Sequence, residues 1–195
     1  DVKQSFVGQL KQLMADRWKR NDSSEAADWL QVLIGTAAGN RPRILQFEAQ
    51  KDGAHGIIAG GTGSGKSELL MTLVAGLAMN YSPDILNFVL VDYKGGGAFK
   101  PFEHLPHCVD LVTNLNKSEV DRMFTAISSE IKRRQQLIAE LKPKPDHIVD
   151  YRKRGLHITK EPYPHLFVII DEYAEMIANS PEYGEALDTI ARTGR

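Results

Sequence analysis

The chain has 195 residues, 42% apolar content and a formal charge of −1, enough length for a real core and the balance of an ordinary globular domain rather than a disordered tail. Near-neutral charge removes any global electrostatic case for nucleic-acid binding. One cysteine, Cys108, excludes an internal disulfide and a cysteine-rich zinc site, which suits a reducing cytosol. Cys108 itself reads as a small buried apolar residue, not a nucleophile. No window approaches ~18 consecutive apolar residues, and the first five residues lack the apolar segment of a signal peptide.

From the N-terminus, Val2, Phe6, Leu10, Leu13 and Trp18 recur near helical spacing between charged residues, so residues 2–19 are predicted as an amphipathic helix. Asn21-Asp22-Ser23-Ser24 ends it. Residues 29–47 read as strands around a Gly39-Asn40 turn, an accessory β element, and Asp52-Gly53 is a further turn. A short apolar run, Ile57 to Gly60, is expected as a strand, and Glu68 to Met79 as a helix. Ser82-Pro83-Asp84 ends that helix.

Leu86 to Asp92 is nearly continuous in apolar residues, as in a strand buried on both faces of a parallel sheet. Cys108 to Thr113 is a weaker strand. Asn116-x-x-Glu119 resembles a capping box, opening a helix with Val120, Met123, Phe124, Ile127, Ile131, Leu137 and Leu141 on one side until Lys142-Pro143-Lys144-Pro145 stops it. A short helix near 146–154 follows, and Pro164 introduces a last strand, Leu166 to Glu172. Strands alternating with helices specify an α/β sandwich with a mainly parallel sheet. We divide the chain into residues 1–28, helix and linker, and residues 29–195, the α/β domain.

Between the Ile57 run and the following helix lies Gly60-Gly61-Thr62-Gly63-Ser64-Gly65-Lys66-Ser67, which fits G-x-x-x-x-G-K-[ST]. Four glycines in eight residues let the backbone N–H groups turn inward toward a triphosphate, where side chains would obstruct. Lys66 can reach the β- and γ-phosphates, Ser67 supplies one Mg²⁺ ligand, and the helix beginning beyond it, with Glu68 in its first turn, aims its positive end at the anion. A flexible glycine turn is the bland alternative, and the flanking apolar runs speak against it.

The apolar strand ending in Asp171-Glu172 carries the second half of the site. A buried strand delivers Asp171 to the metal, through a water, and sets Glu172 to orient the water that attacks the γ-phosphate. Asp92-Tyr93-Lys94-Gly95-Gly96-Gly97 closes the other apolar strand on the same sheet edge. Lys94 could pair with acids there, contact a neighbouring subunit or face solvent, and receives no catalytic role. The basic clusters Lys132-Arg133-Arg134 and Arg152-Lys153-Arg154 read as solvated helix faces with Glu130 and Glu140 as helical partners, and contact with phosphates is the alternative. The six histidines show no metal-ligand spacing and read as capping or surface residues.

Ala59 to Glu68, then Val91-Asp92-Tyr93-Lys94-Gly95-Gly96-Gly97-Ala98-Phe99, Leu105-Pro106-His107, Thr113-Asn114-Leu115 and Glu130-x-x-Arg133-Arg134 together resemble the FtsK/SpoIIIE family over about residues 29–195. The resemblance implies a RecA-like motor ATPase working as a hexameric ring. One branch pumps double-stranded DNA. The other comprises the EccC and EssC motors of type VII protein secretion, which Asp-Tyr-Lys-Gly-Gly-Gly resembles more than it does the DNA pumps.

Carried onto this sequence, the resemblance implies that Gly60 to Ser67 bind ATP and Mg²⁺, Asp171 positions the metal, Glu172 is the catalytic acid, and Arg192 and Arg195 lie near a subunit boundary. It further implies a cytoplasmic domain of an inner-membrane-anchored bacterial protein, with no membrane contact from this segment itself. Expected partners are copies of itself, further ATPase domains or secretion components, and a secreted protein or, alternatively, double-stranded DNA. A nucleotide-binding regulatory module without turnover is a third reading. The family core continues past Arg-Thr-Gly-Arg into another strand, so the sequence is expected to be a fragment.

Overall fold

A computed structural model describes residues 2–93, 95, 97–113 and 117–193. Helix α1 runs over Val2–Asn21, hairpin strands β1 and β2 over Gln31–Ala37 and Arg41–Gln46, and helix α2 over Lys66–Asn80. Strand β3 (Leu86–Asp92) is followed by a 3₁₀ turn at Lys100–Phe102, strand β4 (Cys108–Thr113) and the long helix α3 (Lys117–Glu140). Short helices α4 (Ile148–Lys153) and α5 (Leu156–Thr159) precede strand β5 (His165–Asp171), and α6 (Tyr173–Asn179) and α7 (Glu182–Thr193) follow it.

Strands β4, β3 and β5 form a parallel sheet in that order, with β3 central. The two-residue side-chain period of β3 divides the core. Phe88 and Leu90 join Leu73, Val74 and Leu77 of α2 on one face, where Ile34, Leu45 and Phe47 from the hairpin region also pack. Val89 and Val91 face Met123, Phe124 and Ile127 of α3, Met176 of α6 and Tyr183 of α7 on the other. Helices on both faces explain why β3 reads as a continuous apolar run. Burying each such side chain contributes about 1.5–3 kcal/mol.

The hairpin matches its sequence signature. Gly39 and Asn40 both take left-handed backbone, φ 75° and 55°, the conformation glycine and asparagine tolerate best. It lies close against α2, because a Cβ on Gly76 would fall 2.6 Å from Val32 Cγ2. Helix α1 is fixed by its C-terminal end: Trp18 Nε1 donates to the Ala78 carbonyl (2.9 Å), Asn21 Nδ2 to the Asn80 carbonyl (2.7 Å), and Ser82 Oγ to Asp22 (2.7 Å). Phe6, Val7 and Leu13 of the same helix are exposed.

Three expectations need correction. The predicted Ile57–Gly60 strand does not form, and Ile57 is 85% exposed. Extended backbone becomes a strand only when a neighbour takes its hydrogen bonds. Among the described residues no strand does so, and His55 Nε2 instead meets the Ala191 carbonyl of α7 at 3.0 Å. Arg152, assigned to a solvated face, is buried and donates to the Asn21 carbonyl (2.7 Å). His107 is also buried, its Nε2 2.8 Å from the Tyr81 carbonyl, and burial pushes its pKa down. His147 does cap a helix, accepting from the Asp150 amide.

Helices α6 and α7 were not anticipated. The available signal was Ser180-Pro181 followed by Glu182 and Glu185, with Tyr183, Ala186, Leu187 and Ile190 at helical spacing. Cys108 is half-buried. Its thiol pKa is pushed up by burial and then by Asp110 and Glu103.

Candidate functional site

The glycine-rich segment bends between residue 60 and α2 in a form that depends on its glycines. Gly63 and Gly65 have φ of 75° and 86°, and a Cβ on Gly60 would lie 2.5 Å from Ser64 Oγ. Ser64 N donates to the Gly61 carbonyl (3.2 Å), closing a tight turn. Helix α2 begins directly after Gly65 with no side-chain cap, so its first amides face the loop rather than a capping oxygen. Thr62 is exposed on the loop, and Glu68 is exposed in the first helical turn.

Lys66 folds back over this loop. Its Nζ donates to the Gly60 carbonyl at 2.8 Å and the Gly61 carbonyl at 3.0 Å, which holds the ammonium at the loop's mouth rather than out in solvent. On the next residue, Ser67 Oγ donates to Asp171 Oδ2 at 2.8 Å across a sequence separation of 104. That contact brings the loop and the end of β5 into one site. Asp171 is buried, and its other oxygen, Oδ1, accepts the Glu172 amide at 3.0 Å, so the carboxylate is fixed at both oxygens.

Parallel register places the remaining acid. Asp92 is paired with Asp171 between β3 and β5, and with Thr113 between β3 and β4, so all three close the same edge of the sheet. Buried Asp92 accepts the Ala98 amide (3.1 Å), and the Gly95 amide donates to its carbonyl (3.2 Å), which folds the glycine-rich turn back on the strand end. Lys94 and Gly96 lie outside the described residues, as do Asn114, Leu115, Asn116 and Arg195.

Glu172 stands just beyond β5 at the head of α6 with φ 58° and ψ 39°. A left-handed conformation costs a non-glycine residue about 1–2 kcal/mol. It turns the chain out of the strand and into α6 directly after Asp171. Sequence reasoning placed Glu172 next to Asp171 but missed this turn, since glutamate carries no left-handed preference.

The basic clusters divide. Arg133 pairs with Glu130 (2.8 Å) and Glu161 (2.6 Å), and Arg134 with Glu130 (2.6 Å), while Arg134 also donates to the Pro164 carbonyl and stacks over Tyr163. Hydrogen bonds from Arg133 and then Arg134 hold the Glu130 carboxyl down at about 2. The cluster clamps α3 to the segment entering β5. Arg192 is exposed and pairs with Asp188 (2.8 Å) within α7.

A profile of the FtsK/SpoIIIE family matches residues 13–195. The chain is 37% identical over 191 residues to the type VII secretion system protein EssC of Staphylococcus aureus strain NCTC 8325, covering 97% of this chain and 13% of that protein. It is 39% identical over 178 residues to the ESX secretion system protein EccC of Geobacillus thermodenitrificans, covering 89% and 12%. Among solved structures, the cytoplasmic domain of the Thermomonospora curvata type VII secretion ATPase EccC matches with a TM-score of 0.80 and 40% identity over 93% of this chain and 21% of that one. The chain therefore spans about an eighth of the curated relatives it matches. A glycine loop joined through Ser67 to the strand-end Asp171 on a parallel sheet, with these relatives, shows that the chain belongs to the FtsK/SpoIIIE family as a RecA-like P-loop domain homologous to the ATPase domains of EssC and EccC.

Proposed function

We propose that this domain binds Mg·ATP at residues 60–68 and hydrolyses it, and that the hydrolysis drives protein export by a type VII secretion system. The observation that carries the reading is the 2.8 Å contact between Ser67 Oγ and Asp171 Oδ2. A serine hydroxyl in hydrogen-bond contact with a buried carboxylate is a donor set that suits Mg²⁺, which Ser67 would ligate directly and Asp171 through a water. The loop suits the phosphates, since Gly63 and Gly65 take left-handed backbone and α2 starts at Lys66 with no side-chain cap, so its N-terminus can bind an anion.

Mg·ATP, when bound, supplies the phosphoanhydride whose γ-phosphoryl group passes to water. Lys66, already held at the mouth of the loop, neutralises phosphate charge, and the loop amides of Gly61 to Ser67 bind and orient the anion. Ser67 and Asp171 hold the cation. Glu172, the residue after Asp171 at the strand end, orients the attacking water and accepts its proton at the carboxylate. This pairing of roles distinguishes a hydrolase from a module that only binds nucleotide.

The export assignment rests on the relatives, which are secretion proteins. On the same reading, copies of the domain assemble as a hexameric ring facing the cytoplasm, with a secreted protein as substrate. No described helix is long and apolar enough to cross a membrane. The test is phosphate release and nucleotide binding by the full-length protein. Lys66→Ala should abolish nucleotide binding, and Glu172→Gln should retain it while slowing turnover by about 100-fold or more. Normal turnover by Glu172→Gln would overturn the role given to Glu172. Strong stimulation of the wild type by double-stranded DNA would overturn the export assignment.

A further inference from the structure

A cavity of about 490 Å³ lies away from the glycine loop, where the end of α3 meets Arg154 and α5, lined by Glu140, Leu141, Lys142, Pro143, Arg154, Leu156 and Lys160. Chain direction places it at the end of the sheet remote from Asp171. Helix α3 starts after the C-terminal end of β4 and returns to the N-terminal edge, where the segment from Glu140 to Lys160 sits before β5 begins.

Its chemistry is two-sided. Leu141, Pro143 and Leu156 supply an aliphatic floor, and Ile158 on α5 nearby is 72% exposed. With Arg154 paired to Asp150, two lysines, Lys142 and Lys160, stand against one acid, Glu140, in the lining. Arg154 acts as a brace: Nε and Nη2 donate to Asp150 and Nη1 donates to the Pro143 carbonyl (3.0 Å), fixing the 142–145 loop against α4. Lys142 and Lys160 are exposed and belong to the lining. The cavity is thus shaped by a spent guanidinium and charged by two lysines.

Two ligand chemistries fit such a lining poorly. A bare phosphate or sulfate would leave the aliphatic floor unused, and a nucleic acid would find no aromatic platform among the lining residues. A volume of 490 Å³ falls within the range of small-ligand and peptide-anchor pockets. We infer that this cavity is a docking site for a short acidic peptide segment of a partner protein, which seats a leucine-type side chain on Leu141, Pro143 and Leu156 and aligns carboxylates with Lys142 and Lys160. Charge complementarity selects the partner, and the apolar floor anchors it. The site shares no residue with the nucleotide pocket, so it stands or falls independently of the proposed hydrolysis.

Fluorescence anisotropy with a labelled synthetic peptide of alternating leucine and glutamate tests this in the full-length protein. Saturable binding is expected, weakening with added salt. Lys142→Glu/Lys160→Glu should lose affinity by about tenfold or more, and Leu156→Ser by a similar factor, while nucleotide binding is kept as the check on folding. A matched peptide with lysine replacing glutamate, and a single-stranded oligonucleotide, serve as comparisons. The inference is overturned if the acidic peptide fails to saturate, if the lysine peptide or the oligonucleotide binds as tightly, or if the double lysine reversal leaves affinity unchanged.

Discussion

Glu130 shows how one carboxylate can organise a distant strand. It accepts from both Arg133 and Arg134, and Arg134 in turn reaches the Pro164 carbonyl one residue before β5. Since its folded-state pKa is depressed to about 2, its contribution to stability is full above the ordinary carboxylate range, near 4.5, and fades as pH falls toward 2. Glu130 is part-exposed, so solvent screening keeps the effect on the order of 1 kcal/mol. Glu130→Gln should therefore destabilise the domain by that order at pH 7 and by much less near pH 2.5, as chemical denaturation at the two pH values would show. Equal losses at both would mean the pair is only packing, not charge.

Among the elements, α2 has the most demanding contacts, because one end begins the glycine loop and its side receives the hairpin. Gly76 permits that approach, with room for no Cβ beside Val32 Cγ2 at 2.6 Å. Gly76→Val gains helix propensity of a few tenths of a kcal/mol but must displace β1, and overpacking of this kind costs typically 1–3 kcal/mol. A net loss of stability is expected in urea unfolding, and a stabilised Gly76→Val would show the hairpin to be loosely held. At the same helix's far end, Trp18 and Asn21 tie α1 to the carbonyls of Ala78 and Asn80. The anchor lies at the end opposite Lys66, so α1 can be loosened without touching the loop.

For the whole molecule, ligand linkage gives a test independent of turnover. Saturating Mg·ATP at about 100 times its dissociation constant stabilises a folded protein that binds it by ~2.7 kcal/mol, which for 150–250 residues raises the melting temperature by roughly 5–10 °C. Thermal shift should show that rise for the wild type and Glu172→Gln and none for Lys66→Ala. Absence of a shift in the wild type would remove the nucleotide from the account altogether.

Local patterns were sufficient for the elements whose cause is local. The uninterrupted apolar run of β3, the Gly39-Asn40 turn and the Gly60–Ser67 loop each carry their conformation in side-chain branching, left-handed tolerance or periodicity, and the sequence expresses these directly. The Ile57–Gly60 segment has the same strand-like composition as β3, yet composition cannot supply a hydrogen-bonding neighbour, and His55 is drawn to α7 instead. Arg152 reads as a surface charge until α1 folds over it and offers the Asn21 carbonyl. The sequence alone determined which residues are candidates for phosphate and metal chemistry; only the tertiary structure decided that Ser67 meets Asp171 and that Glu172 takes a left-handed backbone at the head of α6, because parallel register and a strained backbone arise from packing between segments that are far apart in the chain.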